Sequence, residues 1–295
     1  MSVTLACMAG GPLSQALEAA QPNVRQLEPA HTPFGESEAV FLVEAEPAAF
    51  YLVPRRPPGR PRLTPSAFNC RATLYALKDL GVQAVLSWSA AGAITHNLAI
   101  GQIVIPDDVI DLTWQRANTF FPRFGLGLLR QFPVFCPALR GALAEVLGER
   151  KLSCHASGTA AVTEGPRLET PAEIRMLASF GAALVTHNLV PEVFLAKELQ
   201  LCLAGGCYLV NYAETGSRHR PFITGDLFGG LTEASRDDRL DRARQALLDI
   251  LRRLAAKLAS AEPACQCRRT MAAQAEKYNL PDDWHQWFDL FGERR

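Results

Sequence analysis

The sequence predicts an α/β protein, on three observations. Short runs rich in Val, Ile and Leu alternate along the chain with segments of helical period. Hydrophobic residues make up 48% of the 295 residues, enough for a large buried core and too many for a disordered chain. Helix-start signals with proline at the first helical position fall between the apolar runs. The length accommodates one large α/β domain or two small ones.

Taken in order, residues 3–8 read as a first buried strand, and residues 40–43 with 50–53 as a second pair. A helix is predicted over 66–80. Residues 82–88 form a further buried strand, a loop spans 89–97, and residues 101–105 return to extended structure. Residues 137–147 read as a helix. Thr170-Pro171-Ala172-Glu173 has the form of a capping box, which starts a helix over 171–180 and leaves Glu169 immediately before its N-terminus. Residues 183–185 and 202–210 read as later central strands, with a helix over 191–199 between them. The clearest helix covers 236–258, where Leu240, Ala243, Leu247, Leu251, Leu254 and Leu258 share one face. From Ala261 the chain turns polar. The expected division is therefore a domain of residues 1–260 and a docked extension, 261–295, carrying Trp284 and Trp287.

Thirty basic residues balance thirty acidic ones, and no basic block is present. Nucleic acid and anionic membrane surfaces both need a positive field, so neither is expected as the main partner. The uncharged stretch 80–106 is long enough to cross a bilayer. It carries Gln83, His96, Asn97 and Gln102 with three glycines, which fits strand–loop–strand better than a lipid-facing helix. Without a basic n-region at the N-terminus, a cytoplasmic location is expected. The eight cysteines are too dispersed for a small disulfide scaffold.

Four separated segments carry a resemblance. They are Thr32-Pro33-Phe34-Gly35; Trp88-Ser89-Ala90-Ala91-Gly92-Ala93 running on to Ile105-Pro106-Asp107-Asp108; Glu164-Gly165-Pro166-Arg167-Leu168-Glu169; and Val190-Pro191-Glu192-Val193 running on to Val210-Asn211-Tyr212. In order and spacing they resemble the trimeric branch of the purine nucleoside phosphorylase superfamily, which includes the methylthioadenosine phosphorylases. The resemblance implies a single-domain, three-layer nucleoside phosphorylase fold with a twisted mixed sheet flanked by helices, assembled as a homotrimer. It implies that phosphate attacks the anomeric carbon as the purine leaves, through an oxocarbenium-like transition state. It implies no metal and no organic cofactor, phosphate being the co-substrate.

By the same resemblance Glu169 falls where 6-oxopurine phosphorylases accept the purine N1–H, and Asn211 where an asparagine meets N7 and O6. Adenine-preferring relatives carry aspartate there, so Asn211 points to inosine, guanosine or methylthioinosine types. Ala90, Gly92 and Leu168 complete the expected base site. The phosphate site departs from the pattern: Ala9-Gly10-Gly11-Pro12 lacks the usual hydroxyl, and Arg56-Pro57 keeps the arginine and loses the histidine. Gly10, Gly11, Arg56, Ser89 and Asn188 are the expected anion contacts, with Arg60 and Arg62 in the same loop. His187 stands where a methionine normally packs beneath the ribose, and is expected to contact the sugar or activate water.

Cys265-Gln266-Cys267 is too closely spaced for a zinc half-site and lacks a second Cys/His pair in sequence. Similar tails form a redox-sensitive clasp in some relatives; free thiols are the expectation here. Ser217-Arg218-His219-Arg220 could line the 5′ side of a nucleoside or be a solvated charged loop, and Trp88 is expected to fill core. Three functional readings stay open: a phosphorylase for 6-oxopurine nucleosides, a nucleosidase using water, and a non-catalytic nucleoside-binding relative.

Overall fold

The computed structural model describes residues 4–10, 23–55, 63–214, 225–232, 238–260 and 264–291. Strands β1 (Leu5–Ala9), β2 (Val24–Gln26), β5 (Phe41–Val43) and β6 (Phe50–Pro54) form one half of a mixed sheet, while β3 (His31–Thr32) and β4 (Gly35–Glu36) make a separate small ribbon. The other half contains β7 (Ala84–Ala93), β8 (Ile103–Val104), β10 (Cys154–His155) and β13 (Cys202–Tyr212). The strand order is β10-β8-β13-β7-β1-β6-β5-β2, with β13, β7, β1 and β6 mutually parallel. A branch of β9 (Asp108–Leu112), β11 (Thr159–Thr163) and β12 (Ala182–Thr186) leaves the sheet where β12 pairs antiparallel with Gly92 and Ala93 of β7.

Alternate side chains of β1 point to opposite faces, and each face is covered. Ala6 and Met8 join a core with Leu74 and Leu77 of α1 (Cys70–Asp79) and with Val193 and Leu195 of a helix at Glu192–Glu198. Leu5, Cys7 and Ala9 join a second core with Leu139 and Leu143 of α2 (Pro137–Glu149) and with Leu251 and Leu254 of a helix at Leu247–Ser260. Numbered in order after α2, the helices are α3 (Pro171–Ser179), α4 (Glu192–Glu198), α5 (Asp238–Gln245), α6 (Leu247–Ser260), α7 (Ala272–Tyr278) and α8 (His285–Phe291). This is the expected three-layer architecture. No helix among the described residues is long and apolar enough to cross a membrane, and residues 80–106 hold β7 and β8 as expected.

The structure corrects several boundaries. The stretch expected as a loop from Ser89 begins as the second half of β7, which runs to Ala93. Its Ser, Ala and Gly residues carry little apolar signal, yet they pair with β13 and β12 and so are held by the ladder. The helix expected over 66–80 starts at Cys70, because Asn69 caps it by accepting from the Ala72 N–H at 3.1 Å. The helix expected over 236–258 is two, α5 and α6, separated at Ala246. Strands β9 and β11 were not anticipated; β9 is half-exposed and alternates too weakly to read. The capping box before α3 forms as expected, with Thr170 and Glu173 exchanging hydrogen bonds.

In the C-terminal segment, Trp284, His285 and Phe288 lie against α1 and the ribbon. Phe288 makes ring contacts with Phe34, Tyr75, Phe120, Phe121 and Trp284 at 5.2–5.8 Å, and His285 Nε2 meets Asp79 Oδ1 at 2.8 Å. Trp88 is fully buried, as expected, and stacks on Tyr208 at 5.9 Å. It lies so close to Gly206 that any Cβ there would fall 2.4 Å from its ring.

Candidate functional site

A cavity of about 370 Å³ opens at the strand ends of the sheet, where α/β folds place ligands. A purine nucleoside is of the size that such pockets enclose. Glu169 and Asn211 both line it, and so do Ala90, Gly92 and Leu168. His187, Asn188 and Gly10 line it as well, so every expected site residue that is described reaches this cavity except Ser89. Gly11, Arg56, Arg60, Arg62 and residues 217–220 lie outside the described residues.

Asn211 is aimed by an irregularity in β13. Between Leu209 and Asn211 the pairing with β7 slips by one residue, a bulge that turns the side chain out of the regular alternation. The amide then lies over Gly92, where a built Cβ would stand 3.4 Å from Nδ2. Asn211 Nδ2 donates to the Tyr212 carbonyl at 2.6 Å. Among the described residues the side-chain oxygen and the second N–H have no other partner, which leaves them for a ligand carrying both a donor and an acceptor.

Glu169 sits just outside the first turn of α3. Its Oε1 accepts from the Thr163 hydroxyl at 2.5 Å and lies 3.2 Å from His187 Nε2. Burial by itself raises the carboxyl pKa, but the bonds from His187 and Thr163 outweigh it and hold the group below the ordinary carboxylate range. Glu169 is therefore an ionised acceptor at neutral pH. His187 lies flat against Gly165, which has φ of +68° and no room for a Cβ: one would fall 2.9 Å from Nδ1.

Arg116, which no local motif marks, ties these parts together. Its side chain is 3% exposed and its N–H groups all find acceptors. Nη1 donates to the His187 and Val190 carbonyls at 2.7 and 2.6 Å, Nη2 to the Thr163 and Glu164 carbonyls at 3.0 and 2.8 Å, and Nε to Glu164 Oε1 at 3.2 Å. The chain after β11 is thus clamped to the chain after β12, and these two segments carry Glu169 and His187. Between the His187 and Val190 carbonyls that Arg116 holds, Leu189 has φ of +82°, a backbone strain of the kind that persists where neighbours over-determine it.

Ser89 stands one layer behind the wall. It is fully buried; its hydroxyl accepts from Asn188 Nδ2 at 2.8 Å and pairs with the Thr186 hydroxyl at 2.7 Å. Thr186, which sequence reasoning missed, lines the cavity, as does Thr64, and its hydroxyl donates to the Ala90 carbonyl at 3.0 Å. Sequence reasoning also missed Arg55. It follows β6 beside Gly10, forms a buried ion pair with Glu192, and retains an Nε with no partner among the described residues.

Far from the cavity, the expectation of an isolated Cys-x-Cys pair is overturned. Cys136 and Cys202 meet Cys265 and Cys267, supplying the second pair that sequence spacing could not reveal.

Residues 42–256 match the model of the phosphorylase superfamily. The chain is 29% identical over 258 residues, 88% of its length and 85% of the other's, to a probable S-methyl-5′-thioinosine phosphorylase of Methanothermobacter thermautotrophicus. It is 36% identical over 194 residues to the 6-oxopurine nucleoside phosphorylase of Pyrococcus furiosus, covering 63% of this chain and 72% of that one. A methylthioadenosine phosphorylase from an antarctic soil metagenomic library superposes with a TM-score of 0.77 at 27% identity, over 92% of this chain and 91% of the other. Matched along its length and in its sheet, the chain belongs to the phosphorylase superfamily.

Proposed function

We propose that this protein is a purine nucleoside phosphorylase that cleaves the N-glycosidic bond of 6-oxopurine nucleosides of the inosine, guanosine or methylthioinosine type. The observation that carries the reading is the convergence of an ionised carboxylate, Glu169, and a carboxamide, Asn211, on one cavity. A 6-oxopurine offers N1–H to the first and O6 to the remaining N–H of the second. As the glycosidic bond lengthens, electron density flows into the purine and onto O6, where the remaining Asn211 N–H meets it. Positioned donors of this kind act where charge develops.

Phosphate enters at the opposite end. The Gly10 and Asn188 amides supply donors, with Ser89 fixing Asn188 from behind, while the Thr186 hydroxyl donates to the Ala90 carbonyl at 3.0 Å. Arg55 stands beside Gly10 but is buried against Glu192 and does not line the cavity, so the cation of the anion site remains Arg56, which lies outside the described residues. His187, oriented by Glu169, faces the ribose. The same reading carries a cytosolic homotrimer in purine salvage. Leu128 and Phe132, 80% and 79% exposed, are side chains that an interface would cover, and sedimentation measures the mass.

The deciding experiment follows inosine cleavage across a range of phosphate concentrations. Rates that rise with phosphate and yield ribose 1-phosphate are expected. Free ribose released at a phosphate-independent rate overturns the phosphorylase, and thermal stabilisation by hypoxanthine without turnover overturns the enzyme.

A further inference from the structure

Cys136, Cys202, Cys265 and Cys267 come from three distant stretches of chain. Cys136 caps α2, where its sulfur accepts from the Leu139 N–H at 3.4 Å. Cys202 opens β13, and Cys265 and Cys267 lead into the short helix Cys267–Arg269. The four sulfurs all lie within 4.8 Å of one another, with Cys202 and Cys265 at 3.4 Å. Zn–S bonds of ~2.3 Å in a tetrahedron set the sulfurs ~3.8 Å apart, so the cluster closes on such a centre with movements of roughly 1 Å or less. Two disulfides would also use all four sulfurs, but each would draw its own pair to ~2.05 Å, whereas a single tetrahedral metal holds all four at one spacing close to that seen here.

We propose that Cys136, Cys202, Cys265 and Cys267 form a closed structural zinc site that fastens the C-terminal segment to the sheet. On binding, four thiols release four protons as four S–Zn bonds form, which leaves a centre of net charge −2. Cations stand ready to balance it: Lys78 is within electrostatic reach of Cys202, Lys197 of Cys267, and Arg268 follows Cys267 in the chain. The Leu139 N–H is the outer hydrogen bond that orients a thiolate ligand. With four sulfurs and no open position, the site holds metal without doing chemistry on substrate. Its distance fits that role, because Cys202 and Asn211 stand at opposite ends of β13, roughly 30 Å apart at ~3.3 Å per residue. The metal would join the start of β13 and the cap of α2 to residues 264–291, whose aromatic rings pack on α1.

The test uses the full chain purified under reducing conditions without added chelator. Elemental analysis is expected to find one zinc per chain, and a mercurial titration to release it as the thiols react. Exchange with cobalt is expected to give the intense visible bands of tetrahedral thiolate coordination. C265S/C267S is expected to lose the zinc and to melt several degrees lower, and chelator treatment of the unaltered chain gives the same shift should that variant fail to fold. Zinc below a tenth of an equivalent in freshly reduced protein, with no cobalt spectrum, would overturn the proposal. So would iron in place of zinc, or an intact mass lighter by two hydrogens per disulfide with no metal.

Discussion

Replacing Glu169 by glutamine tests the base site with the smallest change of shape. The amide keeps an oxygen for the Thr163 hydroxyl, so the local fold survives, but the charge disappears and one acceptor becomes a donor. Hydrogen bonds to ionised groups contribute about 1.5–3 kcal/mol and neutral ones about 1, so the loss at a purine N1–H is about 1–2 kcal/mol. The new N–H points a donor at a donor, which adds to that loss for inosine and becomes favourable for adenosine, whose N1 accepts. Inosine kcat/KM is expected to fall by roughly 5–30-fold on the scale of 1.4 kcal/mol per tenfold, with adenosine unchanged or improved. The assay is steady-state phosphorolysis of both nucleosides at saturating phosphate. An inosine-to-adenosine ratio that stays within twofold of the unaltered protein would refute the placement of Glu169 against the base.

Asn211→Asp is expected to move the same ratio at least about tenfold towards adenosine, because a carboxylate accepts from a 6-amino group and repels a 6-oxo group; competition kinetics with mixed substrates measure it. Arg116→Met removes the clamp and leaves the buried Glu164 carboxylate without its cation. A loss of about 3–5 kcal/mol is expected, read by calorimetry as a Tm lower by roughly 6–15 °C, and inosine kcat/KM falls below that Tm although Arg116 does not line the cavity. A shift of under 2 °C would show that the clamp is redundant. Glu198 accepts from the Phe120 N–H and the Thr119 hydroxyl, yet burial pushes its carboxyl up to about 7. The folded state keeps a proton there that the unfolded chain releases from about pH 4.5, so stability falls by about 3 kcal/mol as pH rises across that window and is level above it. Glu198→Gln is expected to abolish this slope in denaturant melts between pH 5 and 8. Glu164 and Glu169, both held below the ordinary carboxylate range, act in the opposite sense and only at more acidic pH.

The alternation of apolar runs and helix starts determined the fold class, because burial of a strand or helix face leaves its period in the sequence. The capping box at Thr170 was equally legible, since every atom it uses lies within four residues. Order and spacing of the Glu169 and Asn211 segments pointed to a shared site before any coordinates did. Only the tertiary structure decided how that site is held. The bulge that aims Asn211 arises from pairing between β13 and β7, and the five bonds of Arg116 reach residues 47 to 74 positions away. Ser89, expected to meet the anion, is instead fully buried behind the wall and bonds to Asn188 and Thr186, because burial is set by the packed fold and not by residue type. The four-sulfur cluster went unread for the same reason: ligand spacing along a chain reveals a metal site only when the chain turns locally, and here α2, β13 and the C-terminal segment bring the sulfurs together through the packing of the whole sheet.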